Sequence, residues 1–429
     1  MPATMKLFSF GLALVLLIPV ARAEEDPAAK VHRLVRQLDA PHLAERQAAE
    51  AELLRLGPTI LDLLPAPEER LSAEAQQRLA RVRQQLQQQA AEAIVQPSLI
   101  TLPAASMPLS KILTLMEEQS GNRIIDYRRR FSQPLSDPAI SVAFQKTPFW
   151  AALDQVLSAA KLRRYPFAEE PAVCLVAETE EPAPLAGRVC YSGPLRIEAT
   201  DVLLRRDLRK ADGRALVLRL EVSWEPRVQV ISLAHPLADL QAEDEAGRKL
   251  NEAEAAGRLE VAVAAGGAPA VSLELPLRAP PVESRRLNLL AGKLSTILGG
   301  KKETFRFRNL TAINNARQRV ANVTVTLQQV RKSEKSWEIL LHVRFEDPGD
   351  ALASHRSWVF GNEAYLESPA GKRIDFRSFE TTAHGRNEVG LAYLFDVAQP
   401  LDGFSFVYKT PVSIMTRNFD YKLKDIPLP

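Results

Sequence analysis

Six histidines and two cysteines carry most of the reactive chemistry available to this 429-residue chain. His32, His42, His235, His342, His355 and His384 show no pairing at zinc-ligand spacing, and no cysteine lies near one. His342 falls at an outward position of an alternating strand and reads as a solvated sheet residue. Glu346-Asp347-Pro348-Gly349-Asp350 gathers carboxylates but lacks the D-x-D-x-D-G calcium loop, so it reads as a tight turn. No G-x-S-x-G elbow presents a serine, and Cys190 has no histidine close to it in sequence. Gly266-Gly267 and Gly299-Gly300-Lys301-Lys302 lack phosphate-loop spacing, and the second reads as a loop between strands. A carboxylate pair for glycoside hydrolysis would have to meet in three dimensions, and an aromatic content of 6% supplies no sugar-stacking platform beside it. The expectation is a non-enzyme, with no catalytic, cofactor-binding or metal-binding residues.

Two clusters remain. A Cys174–Cys190 disulfide would close a loop of about 15 residues, stabilising by about 3 kcal/mol in the chain-entropy model. Two buried free thiols fit the same spacing, because sequence does not fix the geometry. Arg128-Arg129-Arg130 follows a predicted strand and precedes Phe131. A solvated loop is its default reading, and a docking patch for a protein partner is the sharper one.

The elements around these residues begin with an address. Lys6 precedes an apolar run from Leu7 to Val20, and Ala21-Arg22-Ala23 matches a signal-peptidase site. Residues 1–23 are expected to be a cleaved signal peptide, delivering a periplasmic or secreted protein. The run is short for a bilayer span, which needs about 20 apolar residues. No later stretch is long and apolar enough to cross as a helix. Loss of Lys6 and Arg22 takes Lys+Arg from 55 to 53 against 52 Asp+Glu, a balance too even for a nucleic-acid partner.

Residues 24–96 read as helical. Ala75, Leu79, Val82 and Leu86 form one apolar stripe with Ser72 as N-cap, and Ala44, Ala48, Ala51 and Leu54 form a smaller one. Gly57-Pro58 closes one helix and opens a short one through Ile60, Leu61 and Leu64. The glutamines of 84–89 read as the solvated side of a helix kept in register by Leu86. The stretch from Glu45 to Leu64 resembles a HEAT-like helical pair.

Residues 97–180 alternate strand and helix. Strands are expected at Leu99–Leu102, Arg123–Asp126, Ile140–Phe144 and Ala172–Val176. Helices are expected at Pro108–Ser120, stopped by Gly121, and from Thr147-Pro148 through Leu157, with Trp150 in the core. The runs Met107-Pro108-Leu109 … Leu113 … Glu118-Gln119-Ser120-Gly121-Asn122 and Thr147 through Leu157 resemble the short N-terminal domain of secretins and TonB-dependent receptors. That resemblance implies a small α+β module that contacts partner proteins in the periplasm. No secretin pore or receptor barrel follows it in this sequence.

The second half reads as one all-β unit present twice. Leu216, Leu218, Leu220, Val222 and Trp224 alternate with polar positions, as do Trp337, Ile339, Leu341, Val343 and Phe345, at an offset of 121 residues (216 to 337). Parity is conserved, which keeps the same face buried in both copies. Ala246-Gly247-Arg248-Lys249-Leu250 matches Ala370-Gly371-Lys372-Arg373-Ile374, and Phe305-Arg306-Phe307 matches Phe419-Asp420-Tyr421. The expected arrangement is two tandem Ig-like β-sandwiches at 189–312 and 313–429. The fold class is therefore multidomain α + β. The expected function is protein–protein interaction or scaffolding in the cell envelope. The alternative is a periplasmic carbohydrate- or cell-wall-binding or -hydrolysing β-sandwich protein, which would need an exposed Trp or Tyr platform or a carboxylate pair in a cleft. Burial of Trp224, Trp337 and Trp358 counts against it.

Overall fold

The structure is a computed structural model and describes residues 26–65, 71–180, 185–209, 213–250, 257–264, 266–333 and 336–429. The expected signal segment at 1–23 lies outside the described residues. Strand outweighs helix by 46% to 23%, in several sheets with a few helices, a composition compatible with a multidomain α + β chain. Two compact units divide the chain, 1–87 and 88–429.

The first unit is helical. Helix α1 (Pro27–Gln37) starts at Asp26, whose carboxylate accepts the Ala28 N–H at 3.3 Å. Helix α2 (Leu43–Leu56) ends at Gly57, where φ is 76°, and Pro58 opens a 3-10 turn through Leu63. Ile60, Leu61 and Leu64 are buried there as expected. Helix α3 (Ala73–Val95) carries the stripe Ala75, Leu79, Val82 and Leu86, all buried, and Ser72 Oγ accepts the Ala75 N–H at 3.2 Å. Gln84, Gln85, Gln88 and Gln89 are exposed. The stripe assigned to α2 is corrected: Ala44, Ala48 and Ala51 face solvent, and Ala49 and Leu53 are the buried pair. Alanines bury little area, so the leucine decides which side turns inward.

Residues 99–177 form the α+β module. Strand β1 (Leu99–Pro108) leads into α4 (Leu109–Ser120) and β2 (Ile124–Asp126); β3 (Ala139–Pro148) leads into α5 (Phe149–Ala160), β4 (Leu162–Arg164) and β5 (Val173–Ala177). The two strand–helix pairs are copies displaced by forty residues. Leu99 pairs with Pro148 and Pro108 with Ala139, so the two ends of the β1–β3 ladder map onto each other when the copies exchange. Each helix opens on a proline, where the first amide lacks a side-chain cap. Leu109 N–H donates to the Pro138 carbonyl and Phe149 N–H to the Ser98 carbonyl, a reciprocal solution to the same exposed end. Each helix stops on a left-handed residue, Gly121 at φ 68° and Lys161 at φ 53°. Trp150 is 2% exposed and belongs to this core, as its spacing predicts. The second sheet, ordered β2-β5-β4, includes a strand after α5 that the sequence reading lacks.

Nineteen further strands follow among the described residues. They are β6 (Val189–Ser192), β7 (Leu195–Arg206), β8 (Arg214–Trp224), β9 (Gln229–Pro236), β10 (Gln241–Asp244), β11 (Arg258–Ala262), β12 (Ala270–Arg278), β13 (Arg286–Gly299), β14 (Lys302–Phe307) and β15 (Asn314–Val320). After these come β16 (Val323–Ser333), β17 (Ser336–Phe345), β18 (Glu363–Glu367), β19 (Arg373–Asp375), β20 (Ser378–His384), β21 (Glu388–Phe395), β22 (Ser405–Pro411), β23 (Ile414–Leu423) and β24 (Ile426–Pro427). Sheet β12-β8-β7-β6 and the sheet around β13 share one core; sheets β14-β22-β18-β19 and β15-β16-β17-β21-β20 share another. β8 and β17 hold matching places in their sheets and bury the alternating residues of the repeat. The Ala246-Gly247 and Ala370-Gly371 turns also match, with glycine φ of 76° and 75°.

The expected boundary at 312/313 is displaced. β14, which follows β13, pairs with β22 in the second unit; β23, which follows β22, pairs with β13 in the first. The exchange is reciprocal to the residue: Phe305 lies opposite Tyr408, and Phe419, 114 residues on (305 to 419), lies opposite Leu294. Residues Val189–Gly299 with Ile414–Pro427 therefore build the first β unit, and Lys302–Pro411 the second. At the crossing, Gly300 N–H donates to the Ser413 carbonyl at 2.8 Å and Val412 N–H to that of Lys301 at 3.1 Å. A Cβ at Gly300 would collide with Ser413 Oγ, so glycine is what lets the two links cross.

Gly292 performs a similar service inside the first unit. His235 reaches across it from β9 to Tyr421 on β23, Nε2 to OH 2.8 Å, and both side chains are buried. A Cβ at Gly292 would lie 2.5 Å from His235 Nε2 and 2.8 Å from Tyr421 OH. Gly292→Ala is expected to cost about 1–3 kcal/mol, the usual penalty for overpacking, measured as a lowered urea midpoint for the first β unit. An unchanged midpoint would refute that close approach.

Candidate docking surface

Large apolar side chains crowd the surface on the α+β module, where β2 and β4 run out beside the middle of β5. Tyr127 N–H donates to the Leu175 carbonyl at 2.8 Å and Tyr165 N–H to the Cys174 carbonyl at 2.7 Å, fixing the two tyrosines over neighbouring residues of one strand. The loops that follow bring Phe131 and Phe167 to them. Ring centroids are 6.2 Å apart for Tyr127–Tyr165, 5.1 Å for Phe131–Tyr165 and 5.7 Å for Tyr165–Phe167, the last two edge-to-face. Phe131 is 46% exposed, Phe167 77% and Leu135 49%, while Tyr127 is buried beneath them. Singly exposed apolar residues are ordinary; a contiguous aromatic patch marks a surface that something covers.

The basic run beside it divides. Arg128 is buried and cannot serve as a docking residue, which corrects that expectation. Its guanidinium donates to both Asp126 oxygens (Nε–Oδ1 3.0 Å, Nη2–Oδ2 2.7 Å) and to the Ser136 carbonyl at 2.8 Å. It therefore ties the 127–138 loop to the end of β2, and the guanidinium holds the Asp126 carboxyl below the usual carboxylate range against the opposing effect of burial. Arg129 and Arg130 are exposed as predicted. The Arg130 guanidinium lies 5.1 Å from the Tyr127 ring centroid, and Nη1 donates to Tyr127 OH at 3.1 Å. Tyr127 in turn donates to Glu170 at 2.6 Å, and that carboxylate lifts the phenol to about 12, so it stays protonated. What results is a rigid aromatic platform with guanidinium groups at its margin, a composition favoured at protein interfaces.

Cys174 and Cys190 are both free. Cys174 packs under the platform with Tyr127, Ala172 and Val176, whereas Cys190 packs against the core of the first β unit, so the two thiols serve different cores and no bridge joins them. Burial pushes the Cys174 thiol up, away from thiolate chemistry. Trp150, Trp224, Trp337 and Trp358 are all buried. His342 is a partly exposed strand residue beside Glu388 at 3.6 Å. Pro348-Gly349 forms a turn, with Ala351 N–H donating to the Pro348 carbonyl at 3.0 Å. Among the described residues no group of three or more His, Cys, Asp or Glu is arranged to hold a metal ion, and no helix is long and apolar enough to cross a membrane.

The sequence reading saw Phe131 only as the residue after the arginines. Phe131, Leu135, Tyr165 and Phe167 share no period, and only the loops folding back across β5 unite them. A comparison with protein families, curated proteins and solved structures finds no match for this chain.

Proposed function

We propose that this is a non-enzymatic exported protein of the cell envelope that docks a protein partner on the aromatic platform of its α+β module, with the two β units as Ig-like spacers. The platform carries the proposal: two half- to mostly exposed rings, Phe131 and Phe167, flank a fixed tyrosine pair, and exposed Leu135 belongs to the same loop as Phe131. Arg129 and Arg130 at its edge favour a partner segment that combines apolar side chains with carboxylates. The resemblance of Met107–Asn122 and Thr147–Leu157 to the short N-terminal domain of secretins and TonB-dependent receptors supports the same reading. The expected signal peptide supports the location. The carbohydrate alternative lacks support, because all four tryptophans are buried.

The test is crosslinking of purified protein to envelope fractions, comparing wild type with Phe131→Ala/Phe167→Ala. Both rings are exposed enough for their loss to cost little stability, within about 0.5 kcal/mol each. As interface anchors, each should contribute about 2 kcal/mol, so the double variant should bind its partner about 700-fold more weakly if the two losses add. Equal crosslinking of wild type and variant to the same partner would refute the platform as the docking site.

A further inference from the structure

A second candidate site lies between the two β units. A cleft of about 220 Å³ opens between the outer face of the β13 sheet and the 346–357 loop of the second unit. Ser232, Ser295 and Thr416 contribute hydroxyls and Ala234 and Ile297 a small apolar patch; Arg258 comes from the first unit, and Asp350 and Arg356 from the loop.

Arg356 is 4% exposed, yet its guanidinium is not saturated. Nε and Nη2 donate to Glu260 Oε1 at 2.9 and 2.5 Å, and Nη1 donates to the Asp350 carbonyl. A guanidinium has five N–H groups, so two of them have no acceptor among the described residues. Buried donors normally have partners, and these line an open cleft. Arg258 gives Nη2 to the other Glu260 oxygen at 2.7 Å and leaves the rest of its fork at the rim. The Asp350 carboxylate has no ion pair among the described residues, and neither the Ser295 nor the Thr416 hydroxyl has a hydrogen-bond partner there. Glu260 collects Arg258, Arg356, His355 and Ser232 and holds both guanidinium groups in place.

We propose that this cleft binds a small zwitterion, a free α-amino acid, with its carboxylate on Arg356 and Arg258 and its ammonium on Asp350. Two cations balanced by Glu260 and Asp350 leave no net field for a purely anionic or cationic ligand. Unused guanidinium N–H groups call for a carboxylate, because charge-assisted bonds are about twice as strong as those to neutral hydroxyls. The Asp350 carbonyl accepts from Arg356, which seats residue 350 next to the guanidinium on the same side of the cleft. The adjacent ammonium and carboxylate of an α-amino acid require that proximity. Ala234 and Ile297 suit a small apolar side chain. The walls come from both units and, through Thr416, from the exchanged strand, so an occupant would bridge the two.

Titration calorimetry of the full chain against glycine, L-alanine and L-leucine, with N-acetyl-L-alanine, L-alaninamide, glucose and sulfate as comparators, tests this. Saturable binding of a free amino acid is expected, with either blocked derivative about tenfold weaker for want of one charge-assisted bond. Asp350→Asn, at an exposed carboxylate without contacts, should retain the wild-type circular dichroism and lose the preference for a free amine over an acetylated one. Binding of N-acetyl-L-alanine as tight as L-alanine, preferential binding of glucose or sulfate, or no heat from any amino acid at millimolar concentration would overturn the proposal.

Discussion

Deleting residues 414–429 is expected to unfold the first β unit and leave the second folded. β23 pairs with ten residues of β13, from Leu290 opposite Leu423 to Gly299 opposite Ile414. It also brings Phe419, Tyr421, Leu423 and Ile426 into the first unit's core, each 7% exposed or less. Four large side chains at about 1.5–3 kcal/mol apiece amount to about 6–12 kcal/mol, comparable with the whole net stability of a domain. β13 would in addition lose its neighbour along most of one edge, an open template for aggregation. The second unit keeps its counterpart strand, because β14 lies upstream of the cut and remains paired with β22 from Lys302–Pro411 to Phe307–Phe406. Hydrogen exchange should therefore show lost protection in β7, β8 and β12 and retained protection in β16, β17 and β21. A peptide of residues 414–429 added in trans should restore the first set. If instead the second unit lost protection and the first kept it, each unit would own its C-terminal strand and the exchange described above would be wrong.

The residues that define this exchange are visible in the sequence; its direction is not. Phe305-Arg306-Phe307 and Phe419-Asp420-Tyr421 announce themselves as equivalents, and equivalence is why sequence cannot assign them. Two strands alike enough to share a pattern fit either acceptor, β13 or β22, and only the two-residue links Gly300-Lys301 and Val412-Ser413 decide which is reached. The alternation in Leu216–Trp224 and Trp337–Phe345 was legible because each strand has one wet face, and the Ala75–Leu86 stripe because its helix does too. In α2 the alanine spacing points to the wrong side, because it carries too little buried area to fix a face. Arg128 is hidden for a different reason: a run of three arginines looks solvated, but Asp126 sits two residues upstream and the loop turns back to supply the Ser136 carbonyl. The docking platform was invisible in outline, since its rings come from two loops that only β5 brings together.

Arg196→Ala is expected to be among the most damaging single substitutions in the chain, at about 3–5 kcal/mol, the cost of removing one partner from a buried ion pair. Arg196 is 2% exposed and lies where the α+β module meets the first β unit. Its Nε donates to Asp154 on α5 at 2.7 Å and its Nη1 to Glu198 on β7 at 2.5 Å. Arg164 also pairs with Glu198 at 3.1 Å and with Glu221 at 2.8 Å, and Arg188 lies 4.0 Å from Glu198, so Glu198 would keep two cations, whereas Asp154 would keep only the Tyr191 hydroxyl at 2.7 Å. Asp154 thus becomes a buried carboxylate without a counter-charge, and most of the loss belongs to it. Arg196→Ala/Asp154→Asn should consequently be more stable than Arg196→Ala alone, the amide still accepting from Tyr191 without a charge to bury. A double-mutant cycle should return a coupling of about 0.5–3 kcal/mol; additive losses would sink the account. Acid gives an independent check. Against the opposing effect of burial, the Arg196 guanidinium holds the Glu198 carboxyl below the usual carboxylate range. A depressed carboxyl stabilises the fold above its unfolded pKa, and that contribution disappears as pH falls through the folded value. The gap between wild type and Arg196→Ala should therefore be widest near neutrality and narrow below about pH 4.5. The same linkage separates an electrostatic junction from a steric one, because a cavity left by the arginine stem would destabilise equally at every pH.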